Sequence, residues 1–101
     1  MERPLPVSLT APSEAERALA EERAASLGIA GDRLELAIVA YERARVAGPL
    51  PPGEEAAHLD LIADRLWALQ VQRECMGLGA DNLAWIQRAY PGIPRAALVR
   101  R

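Results

Sequence analysis

The chain has 101 residues, half of them hydrophobic but only 4% aromatic, and a formal net charge of −2. That length supports one domain with a modest core, and the slight acidic excess excludes a general electrostatic drive towards nucleic acid or anionic membrane. The single cysteine, Cys75, excludes an intramolecular disulfide and a thiol metal site within one chain.

Residues 1–12 hold Pro4, Pro6 and Pro12 without periodicity and read as an extended or disordered arm. The same stretch lacks the apolar core of a signal peptide. No run of 18 apolar residues occurs anywhere, so a cytoplasmic protein is expected. Residues 13–101 form the single helical domain. "SEAE" opens it with a capping box, Ser13 as cap and Glu16 reaching back.

The segment after this cap has two readings. Gly28 and Gly31, with Asp32 and Glu35 as a second capping box, would divide it into two helices. The register favours one. Leu27, Ala30, Leu34, Ala37, Tyr41, Ala44 and Gly48 keep a 3-4 spacing without a skipped step, and a break rarely preserves phase. One helix over about 13–47 is expected, about 50 Å long at 1.5 Å per residue. "GPLPPG", residues 48–53, then punctuates the chain.

A second helix is expected over about 52–76, with Glu54 and Glu55 in its first turn, where acids favour the helix dipole. Its main stripe is Leu59, Ile62, Leu66, Leu69, Arg73 and Met76. A second strip, Leu61, Ala68, Val71 and Cys75, lies on the other side. One stripe serves one neighbour, so two stripes give this helix two. Gly77 and Gly79 end it. Asp81 is expected to cap a third helix, about 82–90, burying Leu83, Trp85, Ile86 and Ala89. Pro94 suits the first position of a fourth, about 94–100. The fold class is all-α: a long antiparallel helical hairpin plus two short C-terminal helices. The alanine-rich core buries little area per residue. At about 25 cal/mol per Å², that favours a homodimer in which two hairpins form a four-helix bundle.

Three segments resemble an uncharacterised family of short bacterial helical proteins. They are Ser26, Leu27, Gly28, Ala30, Gly31, Leu34 and Glu35; Trp67, Ala68, Val71, Gln72, Arg73, Glu74, Gly77 and Leu78; and Tyr90, Ile93, Pro94 and Arg95. The last is one residue longer than the family pattern because of Pro91-Gly92. The resemblance implies fold kinship over the central two-thirds of the chain, and no mechanism.

Four kinds of chemistry are open to these residue types. Glu55 and His58 have the i, i+3 spacing of di-iron carboxylate bundles, with Glu42 near them across the loop. An acid in a first helical turn and a lone surface histidine are the plainer account, so no metal or cofactor is expected. "IQRAYPGIPRAALVRR" imitates the end of a helix-turn-helix, with Arg95, Arg100 and Arg101 on a last helix. That helix offers only arginines to base edges, and Ala97, Leu98 and Val99 give it a docking face, so nucleic acid is not the expected partner. Nucleophilic catalysis needs a base within reach of the nucleophile. His58 and Cys75 lie about 25 Å apart along one helix, and no enzyme is expected. All-helical nucleotide pyrophosphohydrolases have a similar architecture, but their paired E-x-x-E and E-x-x-D motifs for Mg²⁺ are missing. A non-catalytic homo-oligomeric interaction or regulatory scaffold remains.

The candidate site is Trp67, Gln70, Val71, Arg73 and Glu74, read as a polar lock setting register or pairing. Arg73 stands in an apolar stripe and needs a carboxylate or carbonyls. The alternatives are Glu74 of a second chain, Glu22, or the open carbonyls near Gly77. Gly28, Ala30 and Gly31 are expected to form a flat spot that admits Trp67, Leu69 or the stem of Arg73.

Overall fold

The computed structural model describes residues 11–100. The arm expected over 1–12 falls almost wholly outside the described residues, as does Arg101. The described residues form four helices and no strand: α1 Glu14–Ala47, α2 Pro52–Cys75, α3 Asn82–Ala89 and α4 Arg95–Leu98. The protein is all-α, as its 3-4 apolar spacing implies.

Ser13 caps α1. The Glu16 amide donates to Ser13 Oγ at 3.1 Å, and Glu14 and Glu16 stand in the first turn. The helix passes through Gly28 and Gly31 without interruption, leaving Asp32 and Glu35 as exposed helical residues. It stops at Gly48, and Pro52 begins α2, where its missing N–H costs nothing.

Leu34 of α1, Ile62 of α2 and Ile86 of α3 are wholly inaccessible and mark the centre of the core. Around them lie Ala37, Ile38 and Tyr41 from α1 and Leu59, Leu66 and Leu69 from α2. The rings of Tyr41 and His58 sit 5.6 Å apart near the connecting loop. At the other end Leu27 shares a cleft with Leu69 and Arg73. Late turns of one helix therefore meet early turns of the other. With 34 residues against 24, α1 outruns α2 by about 15 Å. Residues 14–25 are exposed at every position.

The C-terminal segment packs on one side of this pair. α3 and α4 both rest on α2. The linker between them lies on α1, with the Tyr90 hydroxyl over Gly31 and Gly92 against Ile38 and Glu42. They meet α2 along Ala63, Leu66, Trp67 and Gln70, and not along the strip expected to serve the second neighbour. Leu61 and Cys75 of that strip are exposed, and Ala68 and Val71 only half-buried. Asn82, at the start of α3, hydrogen-bonds the Gln70 carbonyl and ties the returning chain to that side.

Three boundary expectations need correction. Asp81 precedes α3 with a left-handed φ of 52° and makes no side-chain cap. Of Leu83, Trp85, Ile86 and Ala89, only Ile86 is buried. The last helix ends at Leu98, not 100. Ala97 N–H donates to Pro94 O and Arg100 N–H to Ala97 O, tight three-residue turns that wind the segment down. No helix among the described residues is long and apolar enough to cross a membrane.

Candidate functional site

The polar centre of the molecule is built on the end of α2. Gly77 takes φ 76°. Gly77 N–H then donates to Glu74 O at 3.0 Å and Leu78 N–H to Arg73 O at 2.8 Å. This is a Schellman ending, which needs a residue without Cβ in the left-handed position. It folds the chain back over the Arg73 side chain. The guanidinium donates through Nε to Asn82 Oδ1 at 2.7 Å and through an Nη to Leu78 O at 3.2 Å. Asn82 Nδ2 donates to Gln70 O at 2.9 Å. Trp85 lies flat against the guanidinium, its ring centroid 3.7 Å from Arg73 Cζ, a contact of ring quadrupole with cation.

Arg73 is 6% exposed and Asn82 8%. A guanidinium this buried is tolerated only when its donors are used. Among the described residues no buried side-chain nitrogen or oxygen is left without a partner. Of the partners open for Arg73 within its own chain, the carbonyl near Gly77 is engaged, as Leu78 O. The other partner is an amide oxygen nine residues downstream, and Glu22 takes no part.

The remaining expected site residues scatter. Trp67 is half exposed, in a groove with Leu83 and Leu98 on the α3–α4 side of α2. It does not meet the glycines of α1. Gln70 contributes its carbonyl. Val71 is half-buried, and Glu74 is exposed with its side chain beside Gly79. The flat spot receives a different guest. A Cβ on Gly31 would lie 2.5 Å from the Tyr90 hydroxyl oxygen, whereas one on Gly28 would meet nothing within 4 Å. Gly28, Gly31, Leu27, Arg73, Trp85 and Tyr90 border a cleft of about 330 Å³.

Tyr90 is the titratable group that this environment perturbs. Burial pushes its phenol above the usual value of 10.0, the carboxylates of Glu35 and Asp32 push it further, and Arg73 pulls it partly back. Asn82, Trp85 and Tyr90 carry no site signal in the sequence. Asn82 follows a left-handed Asp81 at a helix start, where an asparagine ordinarily reads as capping. Tyr90 precedes a proline and reads as punctuation.

His58 packs on Tyr41, and no group of three His, Cys, Asp or Glu side chains among the described residues is arranged to hold a metal ion. α4 is one turn, with Ala97 buried. Arg100 Nε pairs with Asp60 Oδ1 of α2 at 3.3 Å, and Arg101 lies outside the described residues.

Away from the C-terminal segment, only α1 and α2 among the described residues line the space between these helices. A groove runs there between Ser26, Ile29 and Arg33 on one helix and Arg65, Ala68 and Gln72 on the other. Ile29 in this groove is 52% exposed, and Leu36 of α1 and Leu61 of α2 are 69% and 40% exposed. Comparison of the chain with family models, with curated proteins and with solved structures returned no match.

Proposed function

We propose that the protein is a non-catalytic, homo-oligomeric scaffold. Its α1–α2 antiparallel hairpin is closed on one side by the C-terminal segment and pairs with a second hairpin through the other. One observation carries the reading. Ile29 stands exposed in the α1–α2 groove, which no described residue outside these two helices lines, and Leu36 and Leu61 are exposed on the same two helices; exposed large apolar side chains beside an open groove mark a contact surface. The Arg73 network has the character of a structural lock. Two of its five donors bond Asn82 Oδ1 and Leu78 O, which ties α3 and the turn before it to α2. The kinship with short bacterial helical proteins proposed from the three motifs fits a role of this kind and adds no chemistry.

Light scattering on the purified chain tests the reading. A dimer is expected, converted to monomer by Leu36→Glu with helix content unchanged. A species at the monomer mass of 10.9 kDa at every concentration overturns it.

A further inference from the structure

The cleft beside Arg73, Trp85 and Tyr90 is bordered by a helical glycine that packing does not explain. Gly31 has a reason to lack a side chain, because a Cβ there would strike the Tyr90 hydroxyl. Gly28 has none of that kind. A Cβ on it would meet nothing within 4 Å, and it lies inside α1 without a positive φ. Alanine would be the better helix former at such a position. Gly28 borders the cleft of about 330 Å³, and its missing side chain keeps that space open.

Arg73 directs an unused donor into the same space. The residue is 6% exposed. Nε bonds Asn82 and Nη2 bonds Leu78, whereas Nη1 bonds no described residue. No buried side-chain nitrogen among the described residues lacks a partner, so Nη1 reaches accessible surface, and the cleft is the opening that Arg73 borders. The guanidinium also has no ion-pair partner among the described residues. A cation held in apolar surroundings attracts an anion with little screening, and a guanidinium donates to carboxylates in short, charge-assisted bonds. The Tyr90 hydroxyl borders the cleft as well and makes no hydrogen bond to a described residue. Its phenol stays protonated at neutral pH, so it is a second donor.

The remaining walls select the body of the guest. Ala24, Leu27 and Leu69 are apolar, and Gly28 and Gly31, one turn apart, present bare backbone. Apolar walls with a few convergent polar groups are the make-up of a small-molecule site. Asp32 on the same cleft repels a multiply charged anion more than a singly charged one.

We propose that this cleft binds a small apolar monocarboxylate. The carboxylate accepts from Arg73 Nη1 and the Tyr90 hydroxyl, and the apolar body lies against Leu27, Leu69 and the backbone at Gly28. The site lies within one chain and stands whether or not the homo-oligomer reading holds.

Titration of phenylacetate into the full chain carrying Trp67→Phe, which leaves Trp85 as its only indole, tests the proposal. A saturable change in Trp85 emission is expected with a millimolar Kd, the range open to so small a ligand, together with a rise in melting temperature. Phenethyl alcohol has the same body without the charge and is expected to bind at least about tenfold more weakly. Gly28→Leu fills the cleft without touching the Arg73 hydrogen bonds. It is expected to weaken binding at least about tenfold with helix content unchanged, and Tyr90→Phe to weaken it about threefold. Inorganic phosphate is expected to leave the emission unchanged. No saturable response to phenylacetate, equal binding of the alcohol, an equal response to phosphate, or undiminished binding by Gly28→Leu overturns the proposal.

Discussion

Arg73 shows how a buried charge is held without a counter-ion. Its partners are an amide oxygen, a backbone carbonyl and an indole face, all neutral. Removing one side of such a network strands the other. Arg73→Met leaves Asn82 Oδ1 and Leu78 O without their donors and is expected to cost about 2–4 kcal/mol. Asn82→Ala, which strands the guanidinium, should cost about 2–3 kcal/mol. Because each variant breaks the same bond, the pair together should cost at least about 1 kcal/mol less than the sum. Urea denaturation of the four proteins measures the cycle, and strict additivity would show that the bond contributes nothing. The two glycines of α1 should behave oppositely. Gly28→Ala adds a methyl into open space and gains about 0.5–1 kcal/mol of helix propensity. Gly31→Ala drives a methyl against the Tyr90 hydroxyl and should destabilise by about 1–2 kcal/mol. In a Tyr90→Phe background the obstructing oxygen is gone, and Gly31→Ala should become neutral or stabilising. Tyr90 also gives the fold an alkaline limit. Its phenol is raised in the folded state by burial and by Glu35 and Asp32, so the neutral form is favoured by folding. That stability is complete below the ordinary value of 10.0 and is lost as pH rises above it. Urea midpoints measured from about pH 9 to 11 should fall more steeply for the native chain than for Tyr90→Phe.

At the scale of elements, the end of α2 decides where α3 goes. The Schellman bonds from Gly77 and Leu78 turn the chain, and Asn82 fastens the returning backbone to Gln70. Gly77 holds φ 76° with open space around its missing Cβ, so its requirement is conformational and not steric crowding. Gly77→Ala is expected to cost about 1–2 kcal/mol, and Gly77→Asn less, because asparagine tolerates the left-handed region. Thermal denaturation compares the two. If both variants match the native chain, the turn contributes no strain-sensitive restraint. α1 illustrates the opposite relation. Its apolar residues are distributed around it with no dominant side, because one set faces α2 and the C-terminal linker while Ile29 and Leu36 face outward. A helix with two apolar sides looks poorly amphipathic when read as one.

For the molecule as a whole, the proposed pairing through the α1–α2 groove would tie stability to concentration. A chain that pairs through Ile29, Leu36 and Leu61 unfolds from a dimer, so its melting temperature should rise with protein concentration. Leu36→Glu should abolish that dependence and leave a lower, constant melting temperature. A native melting temperature that does not move over a hundredfold range of concentration would contradict the proposed assembly. The bulk properties are consistent with such a contact. The core is small, and seven of its eleven clustered residues are Leu or Ile rather than the alanines expected from composition, so each chain buries modest apolar area by itself.

Local rules were enough for the helices. The Ser13 cap, the unbroken 3-4 register through Gly28 and Gly31, and the glycine-proline stretch at 48–53 each act within a few residues of themselves, so they can be read in order along the chain. The all-α class comes from the same periodicity. Arg73 was conspicuous for the same reason, as a charge in an apolar stripe. Its partners were not legible, because Asn82 and Trp85 reach it only after the chain has turned at Gly77. Hydrogen-bond partners across a turn depend on the path of the turn and not on spacing. The guest at Gly31 was likewise hidden, since Tyr90 arrives from 59 positions away along a linker that sequence marks only as irregular. Which segments are helices is therefore a property of the linear chain, whereas the start of α3 and the end of α4 are not. The side of α2 that the C-terminal segment covers, and hence the apolar side chains left open, is settled only in three dimensions. The Asn82-to-Gln70 hydrogen bond, the burial of Ile86 and Ala97 and the seating of Tyr90 at Gly31 hold that side together, and contacts between positions far apart leave no periodic signature.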